Sequence, residues 1–471
     1  MCERYTLARV MRSVTPKLAV ARAVGALVRA SGRGGGTSLP GKLLLKLDPH
    51  SITHLTNRLA DGAAVISATN GKTTTAAMSA TILEGAGHKL VHNRAGANMA
   101  GGIASALLAA AGRGDRIDGD LGLFEVDELW VAQITDAAQP RALLLANLFR
   151  DQLDRYGELE TIAERWSEVV ERLGESSRLV LNADDPLIAD LGRERADVTY
   201  FGVEDRTLAV PEMQHASDSK HCRRCGAAYV YDAIYLGHLG DYHCAVCGQQ
   251  RPKPTVYAAE ITLHGTSRAS FTLHTPAGSM AVLLPLPGLY NVYNAVAAAA
   301  LCLDLGATLD QVVGGLEAAT AAFGRAEEVT VGGGSLKLLL MKNPAGANEL
   351  LRTLALEPGE LDILMILNDL IADGRDVSWV WDADFELLVP HVRTVICAGT
   401  RAAELAVRLK YAGVDPARLK VIPELSTALD VSLAGAADGR VFALPTYTAL
   451  LALRDELASR GHVSRYWEQP T

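Results

Sequence analysis

Two cysteine pairs, Cys222-Arg223-Arg224-Cys225 and Cys244-Ala245-Val246-Cys247, are separated by 18 residues. A CxxC turn sets two sulfurs on one side of a tight loop, and Gly226 and Gly248 directly after the pairs permit the backbone turn this needs. The spacing predicts a four-thiolate zinc ribbon. A closed four-sulfur site leaves no open coordination position, so its metal would stabilise a small fold rather than activate water. His221 and His243 flank the pairs, but either would have to displace a better-placed thiolate. The total of seven cysteines is odd, and only these four are regularly spaced, which argues metal rather than disulfides. Cys302, in an Ala/Leu-rich run, and Cys397, in Val395-Ile396-Cys397, read as buried small apolar residues, not nucleophiles.

A second chemical signal is Ser67-Ala68-Thr69-Asn70-Gly71-Lys72-Thr73-Thr74, which follows a β-rich run and opens a helical one. That is the context of a loop whose backbone N–H groups cradle phosphates. Gly71 would let the backbone approach, Lys72 would neutralise β/γ charge, and the Thr73 hydroxyl would reach Mg²⁺; Thr69, Asn70 and Thr74 complete the expected ATP cradle. The pattern departs from the usual one at Ile66, where a glycine is customary. Glu125 closes the strand-like run Leu121–Val126, so its carboxylate is expected at the carboxyl edge of the sheet beside the loop, as a hard oxygen ligand for the same magnesium.

These groups need a scaffold. At 471 residues the chain exceeds what one core usually organises, so several domains are expected. Short β-rich runs alternate with helical patterns from about residue 63, which predicts a parallel sheet covered by helices. Residues 213–256 interrupt the alternation as an inserted module. Strand-like Glu260–Leu263 and Ala269–Leu273 and a helix over 291–305 return to the first domain, which closes near Phe323-Gly324-Arg325. Apolar runs at Asp362–Leu367, Thr394–Ala398, Leu419–Ile422 and Val441–Leu444 predict a smaller α/β unit. The expected division is 1–45, a basic helix and Gly-rich loop; 46–330, the ATP-binding domain with the ribbon at 213–256; and 331–471, a Rossmann-like C-terminal domain. The N-terminal helix is expected to pack on the first domain rather than lie on a membrane.

Several ordered segments carry a family resemblance: the loop itself, Phe124-Glu125-Val126-Asp127-Glu128, Asn147–Arg155, Asn182-Ala183-Asp184-Asp185-Pro186, Gly288–Asn294 and Gly324-Arg325. Over about residues 60–330 the chain resembles the Mur ligases, cytoplasmic enzymes that extend peptidoglycan precursors through an acyl phosphate. The resemblance implies a Mur-ligase-like P-loop α/β fold and places Asn291 and its neighbours facing the adenine. Its departures are informative. Gln152 and Tyr290 replace customary histidines, Arg165-Trp166-Ser167 offers no lysine where those ligases carry a carbamylated one, and Leu340-Met341-Lys342-Asn343-Pro344 replaces the usual opening of the C-terminal domain. An amino acid is therefore not expected as the nucleophile.

Those departures, with the four cysteines, Ala97-Asn98-Met99, Lys342-Asn343-Pro344-Ala345-Gly346 and Ala372–Trp379, resemble the MurT family. The resemblance implies a Mur-ligase-like subunit of lipid II isoglutaminyl synthase, which amidates the α-carboxyl of D-glutamate in lipid II with ammonia from a glutaminase partner, GatD. It also gives a role to the cluster Asn368–Asp376. A glutaminase needs a group that orients its catalytic histidine, and an aspartate here, Asp376 in preference to Asp373, is expected to approach the partner's active site. Trp379 and Trp381, on a strand-like segment, are expected to anchor that contact or fill the core. His92, Asn93 and Arg94 are candidates for substrate contact. The alternatives are a conventional Mur or folylpolyglutamate-type amino-acid ligase, and a nucleotide-binding scaffold that activates a partner.

The formal charge is −9, from 45 basic and 54 acidic side chains, which argues against a nucleic-acid partner. No run of about 18 apolar residues and no secretory signal is visible, so a cytoplasmic protein acting near the inner face of the membrane is expected.

Overall fold

The computed structural model describes residues 16–23, 25, 38–93, 97–112, 116–151, 159–214, 217–320 and 325–463. Most of the basic N-terminal segment, Arg94, Gln152 and Gly324 lie outside them. What is described of the first helix packs inward: Leu18 and Ala21 are buried, and Arg22 donates to the Leu108 carbonyl oxygen.

Nine strands make the first sheet, in the order β11-β10-β9-β6-β5-β4-β1-β3-β2. They are β1 (Ala63–Ser67), β2 (Leu90–His92), β3 (Leu121–Glu125), β4 (Ala142–Leu145), β5 (Arg178–Asn182), β6 (Val198–Val203), β9 (Val256–His264), β10 (Arg268–Thr275) and β11 (Gly278–Leu284). From β2 to β9 the neighbours pair in parallel, and β9, β10 and β11 add an antiparallel flap. Strands covered on both faces need apolar residues at every position. Accordingly β1, β3 and β4 are buried throughout. The chain runs from β1 to the edge strand β2, returns to β3 beside β1, then crosses to β4 on the other side of β1. The winding reverses at β1, and the crevice at the carboxyl end of such a strand is where open α/β sheets bind ligands.

Helices Lys72–Gly85 and Leu289–Asp304 cover one face. The second is alanine-rich because it lies close against the sheet: Ala295 and Ala297 to Ala300 are at most 1% exposed. Between β6 and β9 the inserted module holds a two-stranded hairpin, β7 (Val230–Leu236) and β8 (Leu239–His243).

The second sheet has the order β12-β13-β17-β14-β15-β16, with β12 (Arg325–Val331), β13 (Gly334–Leu339), β14 (Leu361–Ile366), β15 (Val392–Ala398), β16 (Leu419–Val421) and β17 (Arg440–Pro445). All pairs are parallel except the β12–β13 hairpin, and a core lies on each face. This places the expected division between 330 and 331 inside that hairpin. Val329 and Val331 alternate with polar residues because they bury in the second core, and Gly332-Gly333, both at positive φ, make the turn. The second sheet thus starts at Arg325. The segment of Trp379 and Trp381 is not a strand but a 3₁₀ turn, Ser378–Trp381.

Candidate active site

The loop after β1 is held from three sides. Ser67 Oγ donates to the Val126 carbonyl (2.8 Å), tying the end of β1 to β3. Thr69 N–H donates to the Asn147 carbonyl oxygen (3.1 Å), while Thr69 Oγ1 accepts from Phe149 N–H (3.1 Å). Asn70 N–H donates to Asn147 Oδ1 (2.9 Å), and Asn147 Nδ2 returns a bond to the Asn70 carbonyl (3.0 Å). The loop therefore costs no unmatched backbone at these positions.

Gly71 caps the helix Lys72–Gly85 at φ +86°, and a Cβ built there would lie 1.9 Å from Asn294 Oδ1. Both the left-handed backbone and the packing demand glycine. Asn294 is positioned by Asn291, whose Oδ1 accepts from Asn294 Nδ2 (3.2 Å) and whose own Nδ2 donates to the Pro287 carbonyl (2.8 Å). Asn291 is thus buried behind the loop in this structure, with its amide engaged in packing. A Gly71→Ala change is expected to cost about 1–3 kcal/mol through φ strain alone. Its clash with Asn294 adds to that, so a Tm drop should accompany weakened nucleotide binding in a calorimetric titration.

Lys72 and Thr74 are buried, and Thr73 between them is half-buried. The Lys72 ammonium is 2.8 Å from Glu128 Oε2 and also donates to the Ala68 carbonyl. Burial pushes the Glu128 carboxyl up, but Lys72 and Lys342 outweigh it and hold the group below the ordinary glutamate value. Trp166 donates its indole N–H to the Glu128 carbonyl (3.0 Å). Thr73 Oγ1 lies 3.0 Å from Glu125 Oε1. Two oxygens in adjacent octahedral positions about 2.1 Å from Mg²⁺ would be about 3.0 Å apart, so these two groups fit one magnesium ion.

Glu125 is in turn fixed by Asn93, whose Oδ1 accepts from Glu125 N–H (2.9 Å) and whose Nδ2 donates to its carbonyl (2.7 Å). His92 Nδ1 meets the Leu123 carbonyl (2.7 Å). Both therefore brace β3, where substrate contact was expected.

Reading the sequence missed Glu128 as the partner of Lys72, together with Asn147 and Asn294, and gave Asn93 to substrate contact rather than to the support of Glu125. Glu128 stands three positions after Glu125 on the same turn, a signal that could have been used. The three asparagines come from separate strands and helices and show no local pattern.

The second domain reaches this loop. Asn343 caps the helix Pro344–Leu354, its Oδ1 accepting from Gly346 N–H (2.9 Å). It also exchanges two amide bonds with Asn70, Asn343 Nδ2 to Asn70 Oδ1 (3.0 Å) and Asn70 Nδ2 to Asn343 Oδ1 (3.3 Å).

The four cysteines of the module converge. Cys222 and Cys247 Sγ are 3.5 Å apart, as are Cys225 and Cys244, and all four sulfurs lie within 4.8 Å of one another. Thiolates at tetrahedral corners about 2.3 Å from zinc would be about 3.8 Å apart, so the cluster fits that ion. The two knuckles repeat one turn: Cys222 N–H donates to the Ala227 carbonyl and Cys244 N–H to that of Gln249, with Gly226 and Gly248 at φ +77° and +74°. Backbone N–H groups of Cys247 and Val246 aimed at Cys244 hold its thiol down at about 6. Cys302 and Cys397 are buried, and burial pushes both thiols up to about 12.

The acidic cluster divides by burial. Asp373 is buried, accepting from Thr448 N–H (2.7 Å) and Leu370 N–H (3.3 Å), so it shapes its loop. Asp376 is exposed and accepts from Ser378 N–H (2.8 Å), a bond that holds its carboxyl below the ordinary value.

Comparison with known proteins agrees with this geometry. The Mur ligase middle domain matches residues 66–302, and the MurT ligase C-terminal domain matches residues 340–450. Among solved structures, a pseudomurein peptide ligase type C from Methanothermus fervidus superposes with a TM-score of 0.66 at 23% identity, covering 85% of this chain and 78% of that one. MurF ligase from Thermotoga maritima, solved with ADP, gives a TM-score of 0.61 at 13% identity, covering 89% and 85%. These likenesses establish the fold. The sheet, its switch-point loop and the attached second domain define a protein of the Mur ligase class.

Within that class the match extends over nearly the whole chain. The lipid II isoglutaminyl synthase (glutamine-hydrolyzing) subunit MurT of Staphylococcus aureus is 32% identical over 430 residues, 91% of this chain and 94% of the relative. Its namesake from Streptococcus pneumoniae is 30% identical over 433 residues, 92% and 94%. The chain belongs to the MurT family. Among the described residues, no helix is long and apolar enough to cross a membrane.

Proposed function

We propose that this chain is the ATP-dependent, amide-forming subunit of a lipid II isoglutaminyl synthase, converting the α-carboxyl of D-glutamate in the stem peptide to the amide with ammonia from a GatD-like glutaminase. It works in the cytoplasm on a membrane-linked substrate. The observation that carries the reading is the end-to-end likeness to relatives bearing that name, and the mouth of the phosphate loop supplies groups suited to the chemistry.

The reaction needs two displacements. A substrate carboxylate oxygen attacks the γ-phosphorus of ATP, the bond to the β–γ bridging oxygen breaks, and ADP departs. Ammonia then attacks the acyl carbon, the carbon–oxygen bond to phosphate breaks, and phosphate leaves carrying a proton from nitrogen. Neither step asks the protein for a covalent intermediate, so its contribution is positioning and charge neutralisation. Thr69, Asn70, Gly71 and Thr74 shape the cradle, with Asn291 behind it, and Lys72 meets the phosphate charge. Thr73 and Glu125 would hold Mg²⁺, which when bound neutralises nucleotide oxygens. Cys222, Cys225, Cys244 and Cys247 would hold Zn²⁺ in a structural ribbon.

Asp376 lies on the second domain, outside the ATP cradle. Exposed and kept ionised by Ser378, it suits the third position of a glutaminase triad completed across the interface, donating no atoms to the amide. The same construction places the exposed Trp381 at the partner contact. In the complex, Asp376→Asn is expected to cut glutamine-driven amidation by about 10³-fold or more, as loss of a triad carboxylate does. Ammonium chloride should restore it. Equal losses with both nitrogen sources would exclude Asp376 from the glutaminase.

A further inference from the structure

Helix Pro344–Leu354 starts at the phosphate loop, and the reciprocal Asn70–Asn343 amide pair fixes that approach. The residue before the cap, Lys342, is thereby delivered from the second domain to the same mouth. Its ammonium lies 2.5 Å from Asp151 Oδ2. The two partners are unlike: the Asp151 side chain is 4% exposed and that of Lys342 is 34% exposed. The aspartate is fixed, whereas the lysine stem has room to move.

Asp151 is also incompletely matched. Among the described residues, its second oxygen, Oδ1, is buried and meets no hydrogen-bond partner. A carboxylate so placed is costly, and proteins retain such groups where a site needs them. Lys72–Glu128 and Lys342–Asp151 are thus two lysine–carboxylate pairs, one within the first domain and one spanning the two domains, brought together at the Asn70–Asn343 junction. A lysine is a compact charge on a flexible stem that can change partners without a fixed fork geometry. A triphosphate entering the mouth carries more negative charge than either carboxylate.

We propose that Lys342 is a further catalytic residue: it leaves Asp151 for the phosphoryl group in flight between nucleotide and substrate carboxylate, and stays on the acyl phosphate until ammonia attacks. The balance of bonds is that of the two displacements above. Lys342 gains and loses no proton; it offsets negative charge on the phosphoryl oxygens while the bond to the bridging oxygen breaks and the bond to the carboxylate oxygen forms. Asp151 is its resting partner. Because only the docked second domain presents Lys342, phosphoryl transfer is confined to the closed arrangement held by Asn70 and Asn343. The proposal rests on the function proposed above.

The test uses the full chain with its glutaminase partner, in wild type, Lys342→Met, Lys342→Arg, Asp151→Asn and the double variant Lys342→Met/Asp151→Asn. Amidation gives kcat and the KM for ATP. Without glutamine, scrambling of ¹⁸O between the bridging and non-bridging positions of labelled ATP reads acyl phosphate formation directly. Lys342→Met should lower kcat and scrambling by about 10²–10³-fold, with the KM for ATP moving less than about tenfold, as for loss of a charge that acts in the transition state. Lys342→Arg should recover about tenfold of that, and Asp151→Asn should lose less than about tenfold. Equal losses in Lys342→Met and Asp151→Asn would make the pair a structural clasp and overturn the proposal, as would a Lys342→Met enzyme within about threefold of wild type. If Lys342→Met alone does not fold, the double variant, which leaves no unpaired charge, carries the test. It should keep the loss, and recovery to the Asp151→Asn level overturns the proposal. A wild-type complex that forms no amide removes the function and this role with it; an active wild type beside an unimpaired Lys342→Met removes only this role.

Discussion

Replacing Lys72 with Met is expected to lower kcat/KM for amidation by about 10²–10³-fold or more, the usual effect of removing a charge placed where negative charge builds up. Stability will fall too, because Lys72 and Glu128 are both buried and removal of one partner leaves the other uncompensated, an effect of about 3–5 kcal/mol. Activity and stability therefore have to be separated. In Lys72→Met/Glu128→Gln no buried charge is left unpaired, so denaturant midpoints should return toward wild type while activity does not. Recovery of both would mean that Lys72 acts only through the fold. The same variant decides against a nucleotide-binding scaffold, since a scaffold without chemistry of its own would keep its partner's amidation.

The second large effect is expected at the four-cysteine cluster. The hairpin of the inserted module buries Ala233, Tyr235, Leu236 and Leu239 in the core of the first sheet, but its cysteine end has only a small core of its own, Cys222, Tyr229, Tyr242 and Cys244. So small a core cannot order that end by burial alone, and structural zinc typically contributes about 10–16 kcal/mol at pH 7. Cys222→Ser should abolish zinc, measured by elemental analysis of the purified chain, and unfold the module. The damage should spread. His238 packs tilted against Phe149 with ring centroids 4.6 Å apart, Asp218 Oδ2 accepts from Arg150 N–H (2.9 Å), and Arg352 of the second domain donates to the Tyr235 carbonyl (2.6 Å). The first two contacts hold the turn that carries Asn147 and Asp151, and the third ties the module to the second domain, so loss of metal should also weaken ATP binding. A zinc-free variant with wild-type stability and nucleotide affinity would show the module to be independent of the site.

Much of this site was legible in the residues because its signals are local. Gly71, Lys72 and Thr73 follow a buried strand directly, Glu125 ends the neighbouring strand, and each CxxC encodes its own turn. The three runs leading to the crevice read correctly within two residues, since β1, β3 and β4 are buried on both faces and continuously apolar. Features built from distant residues were not legible. Asn147 and Asn294 reach the loop, and Asn93 the backbone of Glu125, from three separate elements, and the support that Asn291 gives Asn294 shows only in the packed helix. The division between domains was misplaced because β12 alternates like any amphipathic strand, and only its pairing with β13 shows which sheet owns it. Trp379 and Trp381 share strand spacing but sit on a 3₁₀ turn, where Arg408 lies 5.6 Å over the Trp381 ring.

If the proposed function holds, this chain activates a carboxyl group with ATP and its nitrogen comes from a partner. Mass spectrometry of lipid II after incubation with ATP, glutamine and the chain, with and without a GatD-like glutaminase, tests it most directly. The change from OH to NH₂ on the D-glutamate carboxyl is expected only when partner and ATP are both present, and from the chain with ATP alone only when ammonium replaces glutamine. Amide formed from glutamine by the chain alone, or by the pair without ATP, would contradict it.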